Sequence, residues 1–151
     1  APIDLPPPKA EGWMKKRGEN NTGWRMRYFC VFEDEESTTL YYFGSKEMAQ
    51  RMIDLGEETH KGCLDLREVV KMSITKERRD VVLDLITPIR TWHFSTSEKE
   101  VLAYWIEIFT VSCPKINNDA RGSISDEAIQ EAAAAVAASP RHADGARGYS
   151  L

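Results

Sequence analysis

Five cations crowd into the thirteen residues from Lys15 to Arg27: Lys15, Lys16, Arg17, Arg25 and Arg27, against the single carboxylate Glu19. A planar guanidinium forks onto two oxygens of one phosphate and a lysine adds a mobile point charge, so this grouping suits a multiply charged anion. Between the two basic clusters lie Gly18, Asn20, Asn21 and Gly23, a turn whose glycines allow successive backbone N–H groups to converge on that anion. Side chains alternate along a strand, so Arg25, Arg27, Phe29 and Val31 share one face, cationic at one end and apolar at the other. In a small barrel, an interior row of this kind fills the core with its deep part and reaches a wet mouth with its end.

Elsewhere the chemistry is thin. The chain has no Gly-x-Ser-x-Gly elbow, Walker loop or His-Glu-x-x-His, so no catalytic activity is expected. His93, between Trp92 and Phe94, reads as a structural histidine. The acidic run Glu33 to Glu36 reads as a solvated turn, since it lacks calcium-loop spacing. Arg78 and Arg79 read as another solvated turn with at most weak anionic contacts. Cys30, Cys63 and Cys113 are odd in number and widely spaced, which argues against a disulfide framework or a zinc site and for a reducing cytoplasm. No metal or cofactor is expected.

Twenty Lys and Arg against 24 Asp and Glu leave a net charge of −4, so the overall field favours neither nucleic acid nor an anionic membrane, and any such binding must come from local polarity. With 151 residues the chain has room for one soluble domain and some additional segments. Its longest apolar run, among the alanines of 132–138, is too short to span a bilayer, which takes about 20 residues. The chain opens on Ala rather than Met, consistent with a fragment of a longer protein.

The elements that must position the cations follow from periodicity. Residues 1–10, with Pro6, Pro7 and Pro8, read as an extended lead-in. Seven strands are expected near Gly12–Arg17, Trp24–Glu33, Thr38–Gly44, Gly62–Asp65, Val70–Thr75, Val81–Ile86 and Thr91–Ser95, in a meander without a βαβ rhythm. A helix follows, with Ser97 and Glu100 as a capping box and Val101, Leu102, Trp105, Ile108 and Phe109 on one face, until Pro114 stops it. The insert at 45–60 reads as a short amphipathic helix capped by Ser45 and stopped by Gly56, with Met48, Met52 and Leu55 as its apolar stripe. Its expected role is packing over a barrel edge, because Glu47, Asp54, Glu57 and Glu58 disfavour an anionic membrane. Residues 114–151 read as a linker with a marginal alanine-rich helix at 125–138 and a flexible tail.

Over roughly Glu11 to Val111 the sequence resembles the pleckstrin-homology (PH) family. The resemblance rests on Gly12-Trp13 in the first strand, the basic hairpin followed by Tyr28-Phe29, and the strand Leu40-Tyr41-Tyr42-Phe43. Lys61-Gly62 before the fourth strand and the closing helix with Trp105 complete it. It implies a mainly β fold with α: a seven-stranded, partly open antiparallel barrel of two near-orthogonal sheets, capped by a C-terminal helix, over residues 11–113.

It also implies a non-enzymatic module that binds phosphoinositide headgroups at the first hairpin. The eight residues between Lys16 and Arg25 are similar in number to those of high-affinity members. By resemblance Lys16 and Arg25 hold ring phosphates, Arg27 is the central anchor, Tyr42 donates its hydroxyl and Lys61 is a further basic ligand. Lys15 and Arg17 complete the candidate set. No Asn-His pair of the kind used by some tight binders is seen late in the barrel. The partner implied is an anionic phospholipid membrane reached from the cytoplasm, with the protein held peripherally. The alternatives are a simpler lipid such as phosphatidic acid, or a protein partner docked on a sheet edge or on the capping helix.

Overall fold

The computed structural model describes residues 6–18, 23–77 and 80–118. Residues 1–5, 19–22 with Glu19, Asn20 and Asn21 of the first hairpin, the Arg78-Arg79 pair and 119–151 with the alanine-rich segment lie outside the described residues. Seven strands form: β1 (Ala10–Arg17), β2 (Trp24–Glu33), β3 (Thr38–Phe43), β4 (Gly62–Asp65), β5 (Lys71–Glu77), β6 (Asp80–Ile86) and β7 (Thr91–Thr96). Three helices accompany them: α1 (Lys46–Leu55), α2 (Lys99–Ser112) and the short α3 (Pro114–Asn118). The strands make one antiparallel sheet in the order β4-β3-β2-β1-β7-β6-β5, curled into a half-barrel. The expected two sheets are therefore joined by hydrogen bonds, but the seam is narrow. β1 meets β7 only at Lys15 to Arg17, whereas it pairs with β2 along its whole length.

The main core fills the concave side. Phe29 and Val31 of β2, Leu40 of β3, Leu83 and Leu85 of β6 and Phe94 of β7 are fully buried there. Helix α2 closes it with Leu102, Trp105, Ile106 and Phe109, an i, i+3, i+4, i+7 stripe. The Trp105 ring meets Phe29 edge-on at 6.2 Å and Phe109 at 5.5 Å. Burying each such aromatic is worth about 1.5–3 kcal/mol.

The helix starts later than the capping box required. Strand β7 runs on to Thr96, whose hydroxyl accepts the Glu98 N–H at 3.2 Å. Glu98 takes the N-cap position without a side-chain hydrogen bond. Ser97, buried in the connection, is thus one residue too early to cap, and the Ser97–Glu100 box does not form. At the far end Cys113 is extended, as the residue before a proline must be. The chain then turns once more through α3 and buries Ile116 in the main core.

A second, smaller core lies on the convex side. Strand β2 is buried on both faces from Tyr28 to Phe32, which is why its sequence there is uninterruptedly apolar. Tyr28, Cys30, Phe32 and Phe43 point outward, and Ala49 and Met52 of α1 cover them. The caps of α1 form as the sequence indicates: Ser45 Oγ accepts the Met48 N–H, and Gly56 takes a left-handed φ of 70°. Its buried stripe is Ala49 and Met52 with Ile53 half-buried, while Met48 and Leu55, expected to pack, stand exposed. The acidic turn after β2 is held by Asp34, whose Oδ1 accepts the N–H groups of Glu36 and Ser37 at 2.8 Å. Those bonds pull the Asp34 carboxyl below the usual range.

Candidate functional site

At the end of the barrel where β1 gives way to β2, a cavity of about 320 Å³ is lined by Lys16, Gly18, Gly23, Arg25, Arg27, Tyr42 and Lys61. Four cations thus converge from β1, from β2 and from the residue preceding β4. No carboxylate is among the described lining residues. Strand alternation brings this about. Lys16 lies on the same side of β1 as the core residue Met14, and Arg25 and Arg27 lie on the same side of β2 as Phe29. The apolar members fill the core and the charged members reach its mouth.

The same alternation separates the remaining candidates. Lys15 and Arg17 project from the opposite face of β1, where Lys15 Nζ lies 3.8 Å from Asp80 and Arg17 lies 3.6 Å from Glu77. The Arg17 guanidinium also sits 5.0 Å from the centre of the Trp24 ring. Neither residue lines the cavity. Three successive residues on one strand do not share a face, and Lys15 and Arg17 project from the face of β1 opposite the cavity.

Within the cavity, Lys16 and Arg25 are directly opposed across the β1–β2 pair. Like charges so placed disfavour the sheet. A bound anion would relieve that repulsion. Lys16 Nζ lies 4.7 Å from the centre of the Tyr42 ring and 5.1 Å from that of Trp92, so two aromatic faces help to hold the ammonium. Arg27 Nη1 donates to the Met26 carbonyl at 2.9 Å, which fixes the guanidinium against its own strand. The Lys61 N–H donates to the Tyr42 carbonyl at 2.8 Å.

Tyr41 and Tyr42 divide between the two faces. Tyr41 packs outward, edge-on to Phe32 at 5.6 Å and to His60 at 4.9 Å, and only Tyr42 reaches the cavity. Two glycines position the site and were not assigned a part from sequence. Gly62 lies opposite Tyr42, and a Cβ there would come within 2.6 Å of Tyr42 Oη, so the phenol ring lies across bare backbone. A Cβ at Gly44 would stand 3.1 Å from Lys61 Cε. Trp92 was also unassigned. Its parity with Phe94 on β7 is the signal that turns it inward, toward Lys16.

The arrangement can hold an anion with several charged oxygens. Among the described residues no group of three or more His, Cys, Asp or Glu side chains gathers as a metal site requires. His93 Nδ1 lies 2.6 Å from Asp84 Oδ1, opposite it on β6, in keeping with a structural role.

Comparison with known proteins agrees with this architecture. Among curated proteins no sequence matches the chain. The solved C-terminal PH domain of pleckstrin in complex with D-myo-Ins(1,2,3,5,6)P5 is 17% identical, with a TM-score of 0.51, covering 75% of this chain and 98% of its own. The solution structure of the PH domain of human oxysterol binding protein-related protein 11 is 17% identical, with a TM-score of 0.54, covering 78% of this chain and 88% of its own. The PH domain of human TBC1 domain family member 2 is 19% identical, with a TM-score of 0.51, covering 79% and 92%. These likenesses concern the fold, and the sequence itself matches the PH domain family model over residues 8–114. With that match over most of its length, the chain belongs to the PH domain family.

Proposed function

We propose that this chain is a non-catalytic membrane-recruitment module whose pocket takes the headgroup of an anionic phospholipid, a phosphoinositide above all. The observation that carries this reading is the convergence of Lys16, Arg25, Arg27 and Lys61 on one cavity whose described lining holds no carboxylate. Lys16 and Arg25 would grip neighbouring ring phosphates, Arg27 would anchor from the floor, and the Tyr42 hydroxyl would donate from the wall. The inositol pentakisphosphate bound by the pleckstrin domain lends support from a relative of the same fold.

The pocket is a local positive site in a chain of net charge −4, so the field orients the molecule with this end toward an anionic surface. Among the described residues no helix is long and apolar enough to cross a membrane, in keeping with peripheral attachment. Binding is then salt-sensitive, because the contacts at the mouth are screened within about 8 Å at physiological ionic strength.

Co-sedimentation with vesicles of differing headgroup tests the reading. Phosphatidylcholine vesicles doped with a phosphatidylinositol bisphosphate should pellet the protein, and Arg27→Ala should weaken that binding about tenfold, the effect of losing one charge-assisted contact. Preference for phosphatidic acid over the inositol lipid would transfer the pocket to the simpler headgroup. Equal binding by Arg27→Ala and the wild type would remove the pocket from the mechanism.

A further inference from the structure

We propose that Ile89, at the tip of the turn between β6 and β7, is a membrane-inserting residue that enters the bilayer beside the pocket; this rests on the headgroup reading above. Ile89 is 83% exposed, the most exposed of the large hydrophobic residues described. A lone apolar side chain on a surface is ordinary. Three observations set this one apart.

The first is that the turn is rigid. The Thr87 N–H donates to the Arg90 carbonyl at 2.9 Å and the Thr87 hydroxyl donates to the same oxygen at 2.8 Å. The Arg90 N–H in return donates to Thr87 Oγ1 at 3.2 Å. Pro88 and Ile89 are thereby held out in water with little conformational entropy left to lose on burial.

The second is place. Arg17, at the end of β1, pairs with His93 near the start of β7, so the turn before β7 stands at the end of the barrel where the pocket opens. The Trp92 ring links the two features directly: Lys16 of the pocket lies 5.1 Å from its centre and Arg90 of the turn 4.1 Å. A headgroup held by Lys16 therefore brings Ile89 to the same surface.

The third is charge. From Leu85 to Ser97 the chain carries no carboxylate, and Arg90 is next to the tip. Pro88 is exposed, and Val70, bonded through its N–H to the Ile86 carbonyl at the root of the turn, is 44% exposed. Apolar tip and flanking cation match a bilayer surface, whose anionic headgroups overlie hydrocarbon. Leu55, also exposed, offers the contrast: it ends α1 among Asp54, Glu57 and Glu58, which an anionic surface repels.

The test compares Ile89→Ser and the wild type in two assays on the full chain. One is binding to phosphatidylcholine vesicles containing a phosphatidylinositol bisphosphate, and the other is calorimetric binding of inositol hexakisphosphate in solution. Burial of an isoleucine side chain is worth about tenfold or more in affinity. Ile89→Ser should therefore lose about tenfold on vesicles and keep the soluble ligand, and Ile89→Trp should regain the vesicle binding. Equal vesicle affinity for Ile89→Ser and the wild type overturns the proposal, as does a matching loss in both assays, which would place the effect in the pocket. A wild type that binds hexakisphosphate but not vesicles overturns insertion and leaves the pocket an anion site. Failure of both ligands overturns insertion and the headgroup reading together.

Discussion

Replacement of Gly62 by alanine is expected to destabilise the domain through a single contact. The added Cβ would stand 2.6 Å from Tyr42 Oη, 2.7 Å from Cε1 and 2.8 Å from Cζ, whereas ordinary contact begins at 3.4 Å. The ring must therefore withdraw by roughly 0.6 to 0.8 Å, and it has little freedom, with Phe29 6.0 Å away and Trp92 6.1 Å away. Overpacking of this kind costs about 1–3 kcal/mol. With a urea m-value of about 1–3 kcal/mol/M, the unfolding midpoint should fall by roughly 1 M. A cycle with Tyr42→Ala isolates the cause. Once the ring is gone, alanine is favoured over glycine by up to roughly 0.5–1 kcal/mol, the strand-interior value, and Gly62 opens β4, so the same substitution should become neutral to slightly stabilising. The two substitutions should then be coupled by about 1–4 kcal/mol. Calorimetry with inositol hexakisphosphate adds a functional arm, because a displaced Tyr42 ring no longer supports Lys16. Equal destabilisation by Gly62→Ala in both backgrounds would refute the close approach on which this reasoning rests.

Two further expectations are independent of it. Lys15→Ala and Arg17→Ala should each leave inositol phosphate affinity within about twofold; Arg17→Ala should cost about 1–2 kcal/mol, losing a partly exposed ion pair and its contact with the Trp24 ring, and Lys15→Ala should cost more, because its ion pair with Asp80 is largely buried; titration calorimetry and urea melts read both. The three thiols should separate by reactivity and by pH. Cys63 is exposed and should react first with iodoacetamide, whereas Cys30 and Cys113 are fully buried and should react only on unfolding. Burial pushes both buried thiols up to about 12, above the unfolded value near 9. Their contribution to stability is therefore complete below pH 9 and is lost as pH rises from there toward 12, which urea melts at a series of alkaline pH values would follow.

The fold was largely legible in the sequence because its strands are separated by strong turn signals and its closing helix carries an amphipathic stripe. All seven strands form near their expected positions, the ends moving by up to two residues. The miss at Ser97 and Glu100 has a specific cause: a capping box can be spelled one residue early when the preceding strand extends, and the strand's extension is fixed by its partners. The stripe on α1 was misread because helical spacing fits Met48, Met52 and Leu55 as well as Ala49, Met52 and Ile53, and only the sheet beneath decides between them. In the pocket, alternation alone placed Arg25, Arg27 and Phe29 on one side. The same rule, applied strictly to β1, would have set Lys15 and Arg17 apart from Lys16. Trp92 could have been turned inward by its parity with Phe94, but the parts of Gly62 and Gly44 were not legible, because each depends on a neighbour distant in sequence.

The two-sided burial of β2 has a bearing on how the strand finds its alignment. A half-exposed strand resists slipping by one residue because the slip would turn its oily side to water. From Tyr28 to Phe32 the side chains are apolar save the Tyr28 hydroxyl, which donates to Glu11, and both sides of the sheet are covered, so this stretch could slide with little penalty of that kind. Discrimination falls to the leading end, where a slip would drive Arg25 and Arg27 toward the outer core and swing Met26 into the mouth of the barrel. The two arginines thus act as a keying feature during assembly, and the residues suited to grasping an anion are also those that tell the strand which way to face.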